Sequence, residues 1–187
     1  MSISFTIQSW LVLLPVAIVL CSIAAARTFI AKRYSFRQFA LLAAFTVYAT
    51  GVLHFVVFPI EVNIGEFANK TPWYRTIQWI PILTMDAKTF LLNVVLFVPF
   101  GLGLPLLCSS YKRMRHAAKA SIYASIAFEM IQLAIRIVAG NGRMTDMNDL
   151  IANTLGGVLG YIVYRKLIAM KPIERLLSGY RLSSRDA

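Results

Sequence analysis

Acidic residues are scarce in this chain. Eight Asp and Glu stand against nineteen Lys and Arg among 187 residues, and charged residues of both signs make up only 14%. A soluble domain carries about a quarter charged residues, so that class is excluded. Cysteine is nearly absent. Cys21 and Cys108 both sit inside apolar runs, which excludes the disulfide framework of a small secreted domain. There is no internal repeat and no low-complexity tract. Also missing is a basic folded face of the kind a nucleic-acid binder needs, because the cations fall between apolar runs. No nucleic-acid partner is expected.

What remains is apolar: 58% of the chain, with a mean hydropathy of +0.67. A spanning helix takes ~20 apolar residues, and five runs of about that length are present, near 5–26, 39–58, 89–109, 120–139 and 149–170. Residues 1–9 hold no Lys or Arg, which argues against a cleaved signal peptide despite the run Ala24 to Ala26. The first run is therefore read as a retained span. Between the second and third runs lies a long polar stretch in which Trp73, Tyr74, Trp79, Ile80 and Pro81 are read as a headgroup-level anchor.

Charge sets the orientation. Fourteen of the nineteen cations fall in 27–37, 110–119 and 165–187, on one side of a five-span arrangement. Lys70, Arg75, Lys88 and Arg143 fall on the other side, and Arg136 lies within a span. The positive-inside rule then predicts an all-α integral membrane protein of five transmembrane helices. Its N-terminus is outside and its C-terminus cytoplasmic, in a single membrane domain with a basic tail over 171–187. Cys21 and Cys108 fall toward the reducing side, as free thiols.

The polar residues inside these runs are not scattered. At about 100° per residue, Asp146, Asp149, Asn153, Gly157 and Gly160 share one helix face, and Ser125, Glu129, Gln132 and Arg136 share another. Taking ~1.5 Å of rise per residue, Asn93 and Asn153 lie on the order of 6 Å below the outer surface and Glu129 roughly 14 Å below it. The inner halves of the same runs hold almost no ionisable groups. Asn93, Gln132 and Asn153 taken singly are interhelical glue, worth about 0.6 kcal/mol each, and Gly156 with Gly160 is a close-packing face. His54 reads as a hydrogen-bonded bystander. Glu129 resists such a reading, because a carboxylate at that depth must be neutral, paired or wet.

These residues resemble the VanZ-like family of bacterial membrane proteins. The resemblance is carried by Asn93-Val-Val-Leu-Phe97-Val-Pro99-Phe-Gly101, by Glu129-Met-Ile-Gln132, and by Arg143, Asp146, Asp149, Asn153, Gly156, Gly157, Gly160 and Tyr161 in order and spacing, over roughly 77–165. Upstream, where that family has an Asn-x-x-Pro-Phe element, this chain has Trp79-Ile-Pro81-Ile82 and keeps only the proline. The first two runs carry no matching motif. The resemblance implies a multi-pass protein of the bacterial cytoplasmic membrane, in a family named for low-level resistance to the glycopeptide teicoplanin. It carries over no catalytic residue.

Three roles are compatible with the cluster. In the first, favoured by a small margin, Arg136 and Arg143 bind an anionic envelope lipid or a glycopeptide-like ligand through bidentate hydrogen bonds. Asn93, Gln132, Asp146, Asp149 and Asn153 complete the site. In the second, Glu129 is the catalytic acid or base of an intramembrane enzyme acting on a lipid-linked, polyprenyl phosphate type substrate. Asp146, Asp149 and Asn153 then hold a hard cation, although two aspartates before a helix also stabilise its start. In the third, the bundle is a non-catalytic assembly partner. A conduit is disfavoured because the polar groups stop halfway. Membrane lipids are the expected partners, no motif names a cofactor or a metal-ligand set, and nothing in the pattern sets an oligomeric state.

Overall fold

The computed structural model describes residues 2–81, 85–111 and 113–182. Ile82, Lys112 and Arg185, which entered the motif and charge readings, lie outside the described residues. Among the described residues, six α-helices and two small sheets follow the chain: β1 (Ile3–Ile7), α1 (Ser9–Ala25), α2 (Phe36–Val57), β2 (Ile60–Ile64), β3 (Ile77–Gln78), α3 (Ala87–Leu107), α4 (Met114–Ala139), β4 (Thr145–Asp146), α5 (Met147–Ile168) and α6 (Lys171–Ser178). A π-helical turn, Ala26–Ile30, extends α1.

Among the described residues, four helices are long and apolar enough to cross a membrane: Ser9–Ile30, Phe36–Val57, Ala87–Leu107 and Met114–Ala139. The chain is thus a helical membrane protein. α5 has 22 residues but falls outside that set. Its sequence explains why: Asn148, Asp149, Asn153 and three glycines dilute its apolar character. Asn148, Asn153 and those glycines are all buried. A helix that turns its polar and small residues onto neighbours needs less hydrophobicity than one ringed by lipid.

The small sheets depart from the all-α expectation. β1 and β2 pair antiparallel from Ile3 opposite Ile64 to Ile7 opposite Ile60. Residues 5–7 therefore belong to a strand, and the first span starts at Ser9 rather than near 5. The alternation Ile3-Ser-Phe5-Thr-Ile7 against Ile60-Glu-Val62-Asn-Ile64 is the period-2 pattern of strands. It was submerged in an apolar run. The hairpin-like pair ties the N-terminal end of α1 to the C-terminal end of α2, beside a small core of Leu13, Val57 and Phe58. β3 and β4 pair parallel over two residues, Ile77 with Thr145 and Gln78 with Asp146.

Helix starts follow their capping residues. At α2, Ser35 Oγ accepts from the Gln38 amide at 3.3 Å and Gln38 Oε1 accepts from the Ser35 amide at 2.8 Å, a reciprocal capping box. At α3, Asp86 accepts from the Thr89 amide at 2.9 Å and from its hydroxyl at 2.6 Å. Those bonds hold the Asp86 carboxyl below its ordinary value. α5 packs most closely on α3, with glycines at the crossing. A Cβ at Gly156 would overlap the Val94 carbonyl, one at Gly160 the Val98 carbonyl, and one at Gly157 the Ser121 hydroxyl. Toward the other end, Leu104, Leu106, Ala117, Tyr161 and Tyr164 form the main apolar core. Cys21 and Cys108 are free.

Candidate functional site

Four segments meet where the N-terminal turns of α3 and α5 pack against the C-terminal half of α4. α3 brings Asn93, α4 brings Ser125, Glu129, Gln132 and Arg136 along one face, and α5 brings Asp149 and Asn153. The connection 140–146 supplies the fourth wall. α4 closes on Gly140, whose φ of +62° is the left-handed cap that suits glycine. The chain then doubles back along the last turns of α4, and Asp146 caps α5 level with Glu129: the Asp146 amide donates to Glu129 Oε2 at 3.1 Å.

This return changes the expected depths. Asn153 Nδ2 donates to Ser125 Oγ at 2.9 Å, one turn of α4 before Glu129, so along the bundle axis Asn153 lies farther than Glu129 from the C-terminal end of α4, the reverse of the expected order. The spans do not begin at one level: α4 continues for roughly three turns beyond Glu129, the point at which α5 starts.

Arg136 holds the return in place. It is buried, and its guanidinium donates to the carbonyls of Asn141 at 3.2 Å, Arg143 at 2.9 Å and Thr71 at 3.2 Å. It is thus bound to backbone. Arg143 is half-buried and donates to the carbonyls of Val56 at 2.5 Å and Pro59 at 3.2 Å. Burial pulls its guanidinium below the ordinary arginine value, and the Glu61 charge partly restores it. Gln132 Nε2 also donates to Val56, at 2.9 Å. Val56 and Pro59 lie at the end of α2, where helix carbonyls lose their intrahelical partners.

Asn93, Glu129, Gln132, Arg143, Asp149 and Asn153 line one cavity of about 120 Å³, walled by Phe55, Val56, Leu96 and Phe128. Within it, Asn93 Nδ2 donates to Asp149 Oδ1 at 2.5 Å. The Glu129 and Asp149 carboxylates interact electrostatically. Two expected residues do not line the cavity. Arg136 does not reach the cavity lining, and Asp146 Oδ1 accepts from the amide of Asn148 at 2.8 Å and from its side chain at 2.9 Å. The cation set Asp146, Asp149 and Asn153 is therefore not assembled as a unit. Arg143 also borders a second, more open hollow of about 270 Å³ with Glu61 and Asn141. His54 lies apart, its Nδ1 2.8 Å from Ser9 Oγ.

Sequence reasoning missed Asn141, which is buried and accepts through Oδ1 from the Arg143 amide at 3.1 Å. A Gly140-Asn141-Gly142 turn signals a bend, but nothing in it signals burial. The apolar walls were missed for the same reason.

The VanZ/LLP1 family model matches residues 45–170. The chain belongs to the VanZ/LLP1 family. Protein VanZ of Enterococcus faecium is 30% identical to it over 137 residues, 70% of this chain and 79% of that relative. No solved structure matches. The VanZ/LLP1 match extends upstream of the 77–165 stretch marked by motifs, into α2. It thus includes Val56 and Pro59, the carbonyls that receive Gln132 and Arg143.

Proposed function

We propose that this chain is a five-span protein of the bacterial cytoplasmic membrane, N-terminus outside, whose outer cavity binds the phosphate head of an anionic envelope lipid. The observation that carries the reading is the position of Arg143: it borders both the polar cavity and the open hollow beside Glu61 and Asn141. Its planar fork suits a phosphate, and two of its N–H groups are engaged by carbonyls out of five available. Asn93, Gln132 and Asn153 are the orienting groups.

Size favours a lipid head over a drug. Sites for drug-sized ligands run to about 300–1,000 Å³, well above this cavity. A glycopeptide-like ligand is therefore the less fitting occupant. A link to teicoplanin susceptibility, which the family name suggests, then runs through the lipid. Arg143→Ala should lower the retention of anionic lipid about ten-fold in native mass spectra of the full chain. It should also remove any teicoplanin phenotype at matched abundance. Retention equal to that of the unaltered chain would sink this reading.

A second reading, an intramembrane enzyme acting on a polyprenyl phosphate, is favoured by the two carboxylates, Glu129 and Asp149, that face the same space. Turnover of such a substrate that vanishes in Glu129→Gln, with lipid still bound, distinguishes catalysis from binding alone.

A further inference from the structure

The cavity has a charge problem that its hydrogen bonds leave unsolved. Glu129 Oε2 takes the Asp146 amide and Asp149 Oδ1 takes Asn93. Their other oxygens, Glu129 Oε1 and Asp149 Oδ2, accept nothing from the described residues. Asn153 is 4% exposed; its Nδ2 goes to Ser125, while its Oδ1 is buried without a partner. Buried acceptors without donors are rare and ask for an explanation. Three residues with an unused oxygen, Glu129, Asp149 and Asn153, thus line one small space, and of those oxygens it is Asn153 Oδ1 that is fully buried. Arg143 is the cation that shares this lining, but it is bonded to the carbonyls of Val56 and Pro59 and balanced by Glu61.

We propose that Glu129, Asp149 and Asn153 bind a hard divalent cation, of the Mg²⁺ or Ca²⁺ class, through Oε1, Oδ2 and Oδ1. The site differs from the Asp146, Asp149 and Asn153 set expected from spacing, because the structure turns Asp146 into a helix cap and brings Glu129 into its place. Donor chemistry sets the ion class: all three ligands are oxygens, with no sulfur or imidazole to favour a soft or borderline metal. No group of three His, Cys, Asp or Glu forms a metal set among the described residues, so the third protein ligand is an amide oxygen. Mg²⁺ is commonly held in this way, by one or two carboxylates with waters and a substrate's phosphate oxygens completing its shell. At ~30 Å³ of liquid volume per water, the cavity holds an ion with a few waters. The lipid phosphate of the proposed function, on which this inference rests for its ligand, bridges the cation and Arg143.

Mn²⁺ tests this, as a paramagnetic stand-in for Mg²⁺, added without lipid to full-length protein stripped of metal in detergent. Electron paramagnetic resonance should show one saturable Mn²⁺ site per chain, displaced by Mg²⁺. Binding should weaken ten-fold or more in Glu129→Gln and in Asp149→Asn, and stay unchanged in Asp86→Asn, whose carboxylate is a helix cap elsewhere. Asn153→Asp keeps the side-chain shape and adds a charge at the orphaned oxygen, so it should tighten binding several-fold. That variant keeps the test open should Glu129→Gln fail to fold. Absence of saturable binding by the unaltered chain overturns the site, as does Mn²⁺ affinity unmoved or lowered in Asn153→Asp. If lipid is retained equally with chelator and Mn²⁺ does not bind, the cation inference falls and the lipid reading stands. Mn²⁺ binding without lipid retention is the reverse.

Discussion

At the scale of single residues, arginine has two employments in this chain. Arg136 and Arg143 lie seven positions apart, and both were read as phosphate ligands, since a cation among polar groups in a membrane invites that reading. Only their surroundings separate them. Arg136 meets two carbonyls of the 140–146 reversal and the Thr71 carbonyl between β2 and β3, so its role is to close the fold. Leaving a buried carbonyl without a donor costs about 1–3 kcal/mol, so Arg136→Ala should destabilise the protein by several kcal/mol in all. A thermal melt of the purified variant checks this. A melting temperature within a degree or two of the parent would show that water replaces the guanidinium. Glu129 was legible because a carboxylate in an apolar run has few bland explanations. Asn141 was not, because an asparagine between two glycines is an ordinary turn until the tertiary fold buries it.

At the scale of elements, the crossing of α3 and α5 depends on residues without side chains. Glycine costs a helix about 1 kcal/mol relative to alanine, so alanine at Gly156 should help an isolated helix. Here a Cβ would meet the Val94 carbonyl and the Phe97 Cβ, and backbone of a packed helix does not yield cheaply. Overpacking of this kind costs about 1–3 kcal/mol. Gly156→Ala should therefore lower the melting temperature and loosen the cavity walls. Gly51→Ala in α2, where no atom lies within 4 Å of the new Cβ, should raise it slightly. Equal responses at the two positions would show that packing at the crossing is slack. The spacing of the small residues in α5 was readable as a close-packing face. Their partners on α3 were not, because a one-dimensional pattern gives a face and not its neighbour.

At the scale of the whole molecule, the proposed orientation rests on the cation asymmetry. With the N-terminus outside, the cavity opens toward the outer leaflet, and α6 lies on the cytoplasmic side. In a chain with Cys21 and Cys108 replaced by serine, Gly142→Cys should react with a membrane-impermeant maleimide in intact cells, and Ser178→Cys only after permeabilisation. The opposite pattern would invert the topology and move the cavity to the inner leaflet. The span count is tested in the same way, because α5 must carry the chain from Gly142 on one face to Ser178 on the other.

The sequence by itself determined the membrane class, the approximate runs that become α1 to α5, and the list of polar residues that had no business facing lipid. Those follow from transfer energetics, which are properties of each side chain and its position along a helix. Only the tertiary structure decided which of them share a space. The return of 140–146 sets the start of α5 roughly three turns back along α4, which brings the Asp146 amide to Glu129 and Asn153 to Ser125 and diverts the Asp146 side chain to a cap. Relative helix depth is set by loop geometry and by the carbonyls that Arg136 gathers, and no periodicity encodes it. The sheet between β1 and β2 belongs to the same category, since its two strands are separated by the whole length of α1 and α2 and recognise each other only once those helices have brought their ends together.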